Sequence, residues 1–294
     1  MAGVVTEKPP RATAPMLPGA PANGRRRGGA PSRPDRLYLL FWFFGSILVA
    51  FLVVPLVALA LSQSWPNFAA VARMADVDQA IALSLEGAFL SATLAALAGV
   101  PLAYALARTA FPGKSLIAAL IDLPLAVPHT VAGIALLMVF GRHGVFGEPL
   151  QTLVGLKFWG TIAGIVVAML FVSAPYTVNA ARIGFEAVDP RLEKIARTLG
   201  LGPWRTFLRI TLPLARASIM TGVTLTYARS ISEFGAVVIL VYYPMTAPVL
   251  VYELFLRFGL DQASAAAVLL LAVSLALFLI LRALARTAPG RANR

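Results

Sequence analysis

The chain has 294 residues, of which 59% are hydrophobic and 13% charged, with no cysteine. A soluble domain carries about twice that share of charge, so a water-soluble fold is excluded, and so are a disulfide framework, a thiolate metal site and a cysteine nucleophile. The net charge of +12 does not point to nucleic acid, because the basic residues cluster beside hydrophobic segments as topology signals do.

Residues 1–36 are rich in Pro, Gly, Ala and Arg, with Arg25, Arg26 and Arg27 in the middle and no apolar period. This composition predicts a disordered basic tail. The apolar run that follows ends in Ala58-Leu59-Ala60, which imitates a signal-peptidase site. A long basic leader and a wide apolar run argue instead for an uncleaved span.

Six stretches are long enough to cross a bilayer, which needs roughly 20 apolar residues. They lie at 37–61, 82–107, 116–140, 160–182, 214–241 and 263–285, leaving a short tail at 287–294. The expected fold class is therefore an all-α membrane protein of about six transmembrane helices. With the amino-terminal tail in the cytoplasm, 20 of the 25 Lys and Arg residues fall on the cytoplasmic side. Only Arg73, Arg142, Lys157 and Arg257 fall outside, and Arg229 lies within a span. The positive-inside rule then puts both termini and residues 189–213 in the cytoplasm.

In the third span, Pro124 and Pro128 stand four residues apart. Each removes a backbone hydrogen bond, so a kink or break is expected there. His129 follows, with no second His or thiolate nearby to complete a metal site. The fifth span carries Arg229-Ser230-Ile231-Ser232-Glu233. Arg229 and Glu233 share a helical face and can pair. Two readings stay open: a structural or gating ion pair, or a path in which Arg229 with the Ser230 and Ser232 hydroxyls meets a passing anion.

Between the fourth and fifth spans, residues 189–213 are polar and dense in helix signals. Asp189 can cap a helix that starts at Pro190. Leu192, Ile195, Ala196 and Leu199 recur at helical spacing, and Gly200 then supplies a left-handed stop. Gly202-Pro203 opens a second short helix with Trp204, Phe207 and Leu208 beside Arg205 and Arg209, and Pro213 ends the segment. Two short amphipathic helices of this kind predict a docking site for a soluble partner.

The segment resembles the coupling loop of permease subunits of ATP-driven (ABC) importers. That family's pattern is Glu-Ala-Ala, three residues, Gly, nine residues, Ile, one residue, Leu-Pro. Gly200, Ile210, Leu212 and Pro213 match its second half, while Lys194-Ile195-Ala196 stands where Glu-Ala-Ala would, beside Glu193. The resemblance implies a type I importer permease fold over about 80–286, with Glu193, Lys194, Ile195, Ala196, Leu199, Gly200, Ile210, Leu212 and Pro213 engaging a separate ATPase. It also implies a prokaryotic plasma-membrane location, pairing with a second copy, two ATPase copies, an external solute-binding protein and a lipid surround. ATP and Mg would be held by the partner, with no cofactor in this chain.

Residues 122–140, and 228–236 continuing through Tyr242-Tyr243-Pro244 to Tyr252-Glu253, are similar to blocks of molybdate/tungstate permeases. Sulfate permeases share part of the second block, so sulfate is the near alternative cargo. Gly113-Lys114-Ser115 imitates the end of a phosphate loop, but Arg108 stands where its first Gly belongs. The chain therefore has no visible ATP site of its own. Rival readings are an ion-coupled secondary carrier using Glu233, Asp122 and Glu86, and a membrane receptor that transports nothing.

A cysteine introduced by Leu199→Cys into this cysteine-free chain is expected to react with a membrane-impermeant thiol reagent from the cytoplasmic side only. Labelling of intact cells and of inverted vesicles checks this.

Overall fold

A computed structural model describes residues 36–287. The tails expected at 1–36 and 287–294 therefore lie, apart from Arg36 and Thr287, outside the described residues. Within them every regular element is a helix: α1 (Arg36–Leu61), α2 (Trp65–Ala72), α3 (Ala75–Arg108), α4 (Lys114–Ala126), α5 (His129–Phe140), α6 (Gly147–Val154), α7 (Ile162–Glu186), α8 (Pro190–Thr198), α9 (Pro203–Thr206), α10 (Leu212–Ile231), α11 (Gly235–Leu240), α12 (Ala247–Phe258) and α13 (Leu260–Thr287). A π-turn over Phe207–Thr211 joins α9 to α10.

The chain divides after Pro55 into two units. The helix α1 is apolar all round and buries none of its side chains. Such a helix is stable only in an apolar surround, which a bilayer provides.

Four described helices are long and apolar enough to cross a membrane: α1, α3, α7 and Leu260–Ile280 of α13. The third expected span, 116–140, is not one continuous helix. It is the pair α4 and α5, bent by 112° at Val127-Pro128, and it makes a fifth crossing if the pair is counted as one. Pro124 sits buried within α4, and the change of direction falls at Pro128, whose extended backbone precedes α5. The fifth expected span is also interrupted. The helix α10 ends at Ile231 and α11 begins at Gly235, with Glu233 between them accepting the Ala236 N–H at 2.8 Å. That carboxylate takes over a donor that the broken helix would otherwise leave unpaired.

The centre of the second unit is the packing of α3, α7 and α10 on one another. The buried face of α3 is almost entirely small: Ala80, Ser84, Gly87, Ala88, Ser91, Ala92, Ala95, Gly99 and Ala103. Small faces let membrane helices approach closely, and hydroxyls can bond across the contact. Ser91, Ser173 and Ser230 meet in a buried knot, with Ser230 at 3.2 Å from Ser91 and 2.8 Å from Ser173. One turn away Thr177 and Thr226 lie 2.7 Å apart, and Thr226 also donates to the Ser173 carbonyl at 3.0 Å. On either side of this seam, Ile165, Met169 and Val237 fill one apolar cluster and Leu106, Phe185 and Ala215 another.

Between α7 and α10 close approach falls at Gly184, where an added Cβ would stand 2.6 Å from Ser218 Cβ and 3.3 Å from the Ala215 carbonyl oxygen. Gly184→Val should push α7 from α10 and cost about 1–3 kcal/mol, as overpacking does. Thermal unfolding in detergent checks this, with Gly45→Ala, a site with nothing within 4 Å, as the unaffected control.

Candidate functional site

Residues 189–213 fold into the helix pair that their caps dictate. Asp189 Oδ1 accepts the Arg191 N–H at 2.9 Å, and Pro190 occupies the first helical position. At the other end Gly200, at φ +88°, closes α8. Its N–H donates to the Arg197 carbonyl at 3.0 Å, and the Leu201 N–H donates to the Ala196 carbonyl at 3.1 Å. These two bonds are the Schellman pair, which needs a left-handed residue where glycine stands. Open space surrounds Gly200, so backbone conformation and not crowding selects it.

The apolar stripe expected from spacing is split by the fold. Ala196 is buried, together with Glu193, against the body of the protein. Leu192, Ile195 and Leu199 face outward, Leu199 being 76% exposed, and Trp204 of α9 joins them at 71%. Arg191, Lys194, Arg197, Arg205 and Arg209, on the same segment, are all exposed as well. Pro213 is exposed too, while Ile210 and Leu212 are half-buried and lead into α10. Large apolar side chains exposed beside cations on one helix pair have the composition of an interaction surface.

Glu193, which stands beside the positions aligned with the family's Glu-Ala-Ala, does not face outward. It accepts hydrogen bonds from Arg108 Nε at 2.9 Å, Thr211 Oγ1 at 2.9 Å and Tyr104 Oη at 3.3 Å. Sequence spacing could not place Arg108 or Tyr104 here, because they lie more than 80 residues away on α3.

A second constellation forms where the two broken helices meet. Gly235 at the start of α11 lies against His129 at the start of α5, since an added Cβ would be 2.7 Å from His129 Cβ. Arg229 Nη2 lies 2.8 Å from Glu233 Oε2 and 2.7 Å from His129 Nε2. A guanidinium has no acceptor, so in this contact Arg229 donates and His129 Nε2 accepts. His129 Nδ1 faces Glu233 Oε2 at 3.9 Å. Ser232 Oγ accepts from Arg229 Nη1 at 3.3 Å and donates to the Arg229 carbonyl. Thus Arg229, Ser232, Glu233 and the Pro128 break come together, with His129 added. Ser230 does not join them, because its hydroxyl is spent in the buried knot with Ser91 and Ser173, and Pro124 lies inside α4.

Beyond α11 the chain turns through Tyr242, at φ 54°, whose hydroxyl donates to the Glu253 carboxylate. This bond, with Arg257 beside it, holds the Glu253 carboxyl below its usual range, and the same bond, together with burial, raises the Tyr242 phenol against the opposing pull of Arg257.

Residues 95–288 match the family of binding-protein-dependent transport system inner membrane components. The chain belongs to that family. Among relatives of this transport component, the molybdate/tungstate transport system permease protein WtpB of Thermococcus kodakarensis is 45% identical over 252 residues, 85% of this chain and 96% of the relative. The molybdenum transport system permease protein ModB of Escherichia coli K12 is 39% identical over 222 residues, 74% of this chain and 96% of the relative. In fold, the chain resembles the crystal structure of a bacterial alginate ABC transporter in complex with an alginate pentasaccharide-bound periplasmic protein. The TM-score is 0.69 at 18% identity, over 85% of this chain and 95% of that one. This transport component is thus a multi-pass membrane protein with the type I importer permease fold.

Glu233 is 1% exposed and balances Arg229, so Glu233→Gln leaves a guanidinium without its countercharge. The expected loss is about 3 kcal/mol, the low end for a broken buried pair because Arg229 keeps some exposure. Thermal unfolding in detergent measures it, and adding Arg229→Gln should restore part of the loss.

Proposed function

We propose that this chain is the membrane-spanning permease of an ATP-driven importer for molybdate or tungstate. Two copies would pair in the membrane, two copies of a separate ATPase would dock on α8 and α9, and an external binding protein would deliver the oxyanion. ATP and Mg would be bound by the ATPase, and both termini would lie in the cytoplasm. One observation carries the reading: the segment that matches the coupling-loop pattern presents Leu192, Ile195, Leu199 and Trp204 uncovered, along with five exposed cations. The partner groove that fits has an apolar floor and an acidic rim. Both relatives described above carry molybdenum or tungstate in their names, which favours that cargo over sulfate.

Docking can drive transport only through contacts that differ between inward- and outward-open states. In this reading α8 and α9 would make such contacts. Arg229, Ser232 and Glu233 then act as a latch across the two helix breaks. The positive charge is balanced by Glu233, so a passing dianion meets donors without a deep electrostatic well. An ion-coupled carrier finds less support: Asp122 is bonded to Asn179 and Glu233 to Arg229, so these two acids are engaged separately.

The test is uptake of molybdate and tungstate into proteoliposomes holding the permease and its ATPase, with the binding protein and ATP. Uptake should require all three and should survive collapse of the proton and sodium gradients. Gly200→Val, which strains a left-handed position by about 1–2 kcal/mol, should leave membrane insertion intact and sharply lower uptake per ATP hydrolysed. Uptake that proceeds without the ATPase would sink the assignment.

A further inference from the structure

The exposed face of α8 explains how a partner could hold it, but not how the motion would enter the bundle. The helix packs mainly on α9 and the π-turn, so its backbone has no broad contact with a membrane span. The polar link from it to the body, beside the buried Ala196, is one carboxylate. Glu193 projects inward from the same turn that projects Leu192 and Ile195 outward. Its Oε1 takes both the Arg108 Nε–H and the Thr211 hydroxyl, each at 2.9 Å, and its Oε2 takes the Tyr104 hydroxyl at 3.3 Å. Arg108 is bound at both sides of its fork, since its Nη2 also donates to the Val188 carbonyl at 2.9 Å, just past the end of α7.

The site is closed. The Arg108 and Glu193 side chains are 14% and 9% exposed. The Tyr104 ring packs against Phe185 and Phe207, with centroids at 5.3 Å and 4.8 Å. Charge-assisted hydrogen bonds shielded from water are directional and strong, so they transmit a pull as well as a push, where apolar surfaces slide. Thr211 lies in the π-turn, a hydrogen-bonding irregularity common at functional positions. From Arg108 the link runs into α3, which is 34 residues and so about 50 Å long, and whose small-residue face meshes with α7 and α10.

We propose that the Arg108–Glu193 pair is a coupling strut: a positioning element, not a partner contact, that converts displacement of α8 into displacement of α3, with Tyr104 and Thr211 fixing its angle. The proposal rests on the ATPase-docking reading above and assigns to Arg108, outside the coupling loop, a share in the transmission of force.

The test uses the complete reconstituted transporter and reads ATP hydrolysis and oxyanion uptake together. Arg108→Gln should keep ATP hydrolysis while uptake per ATP falls by about tenfold, within the usual range of coupling effects between sites. Arg108→Lys keeps the charge but loses the fork that reaches Glu193 and Val188 together, so it should fall between Arg108→Gln and the unmodified complex. The double variant Arg108→Gln/Glu193→Gln should couple no worse than Arg108→Gln alone, because one strut can be cut only once. An unchanged uptake-to-ATP ratio in Arg108→Gln overturns the proposal, as do losses that multiply in the double variant. Failure of Arg108→Lys to assemble with the ATPase overturns it too, since the pair would then belong to assembly. A failure of the docking reading looks different: the unmodified complex itself would then show no ATP-dependent uptake.

Discussion

A polar group drawn into this bundle has to find its partner within the protein, because hydrocarbon offers none. That constraint organises the second unit. Ser91, Ser173 and Ser230 satisfy one another across α3, α7 and α10, and Thr177 does the same with Thr226. Glu233 is enclosed by Arg229 and the Ala236 N–H, and Glu193 by Arg108, Thr211 and Tyr104. Among the described residues only Thr246 Oγ1 and Gln262 Oε1 are buried side-chain atoms without a partner. Individually such bonds contribute modestly in membranes, about 0.6 kcal/mol on average. Their value here is specificity: each fixes which faces of three helices meet.

The same constraint explains the interrupted helices. A break frees backbone groups, and both breaks in this protein are handled locally. Glu233 caps α11, and Val127 keeps its N–H bonded to the Leu123 carbonyl before the chain turns at Pro128. The two breaks then face each other, which brings His129 onto Arg229 although 100 residues separate them. At both breaks the backbone is free of the regular helical ladder, so the junction lies outside the long helices on either side.

Much of the candidate site was legible in the chain. Asp189, Pro190 and Gly200 state the limits of α8 by capping chemistry alone, and the folded caps follow that chemistry. Pro128 announced a break but not its 112° angle, which depends on what α5 packs against. The expected span 214–241 contained no proline to warn of an interruption. A hydropathy reading ran straight through Ser232-Glu233-Phe234 because apolar residues resume at once. The places of Ser230, in the knot with Ser91 and Ser173, and of Ala196, on the buried side of α8, were not legible for the same reason: helical spacing gives a face, but not what lies opposite it. Arg108 and Tyr104 carried no local signal at all, since their role exists only once α3 returns to the end of α7.

The sequence by itself determined the membrane class, the long apolar helices and the short capped helices of 189–213, because hydropathy, proline, glycine and cap residues act within one or two turns. Only the tertiary structure decided which side of α8 is free, that its one inward carboxylate meets an arginine from α3, and that the two interrupted helices share a charged junction. Those are pairings between distant segments. They are settled by close packing and by the need to match every buried polar group, and no window of the sequence contains both halves of such a match.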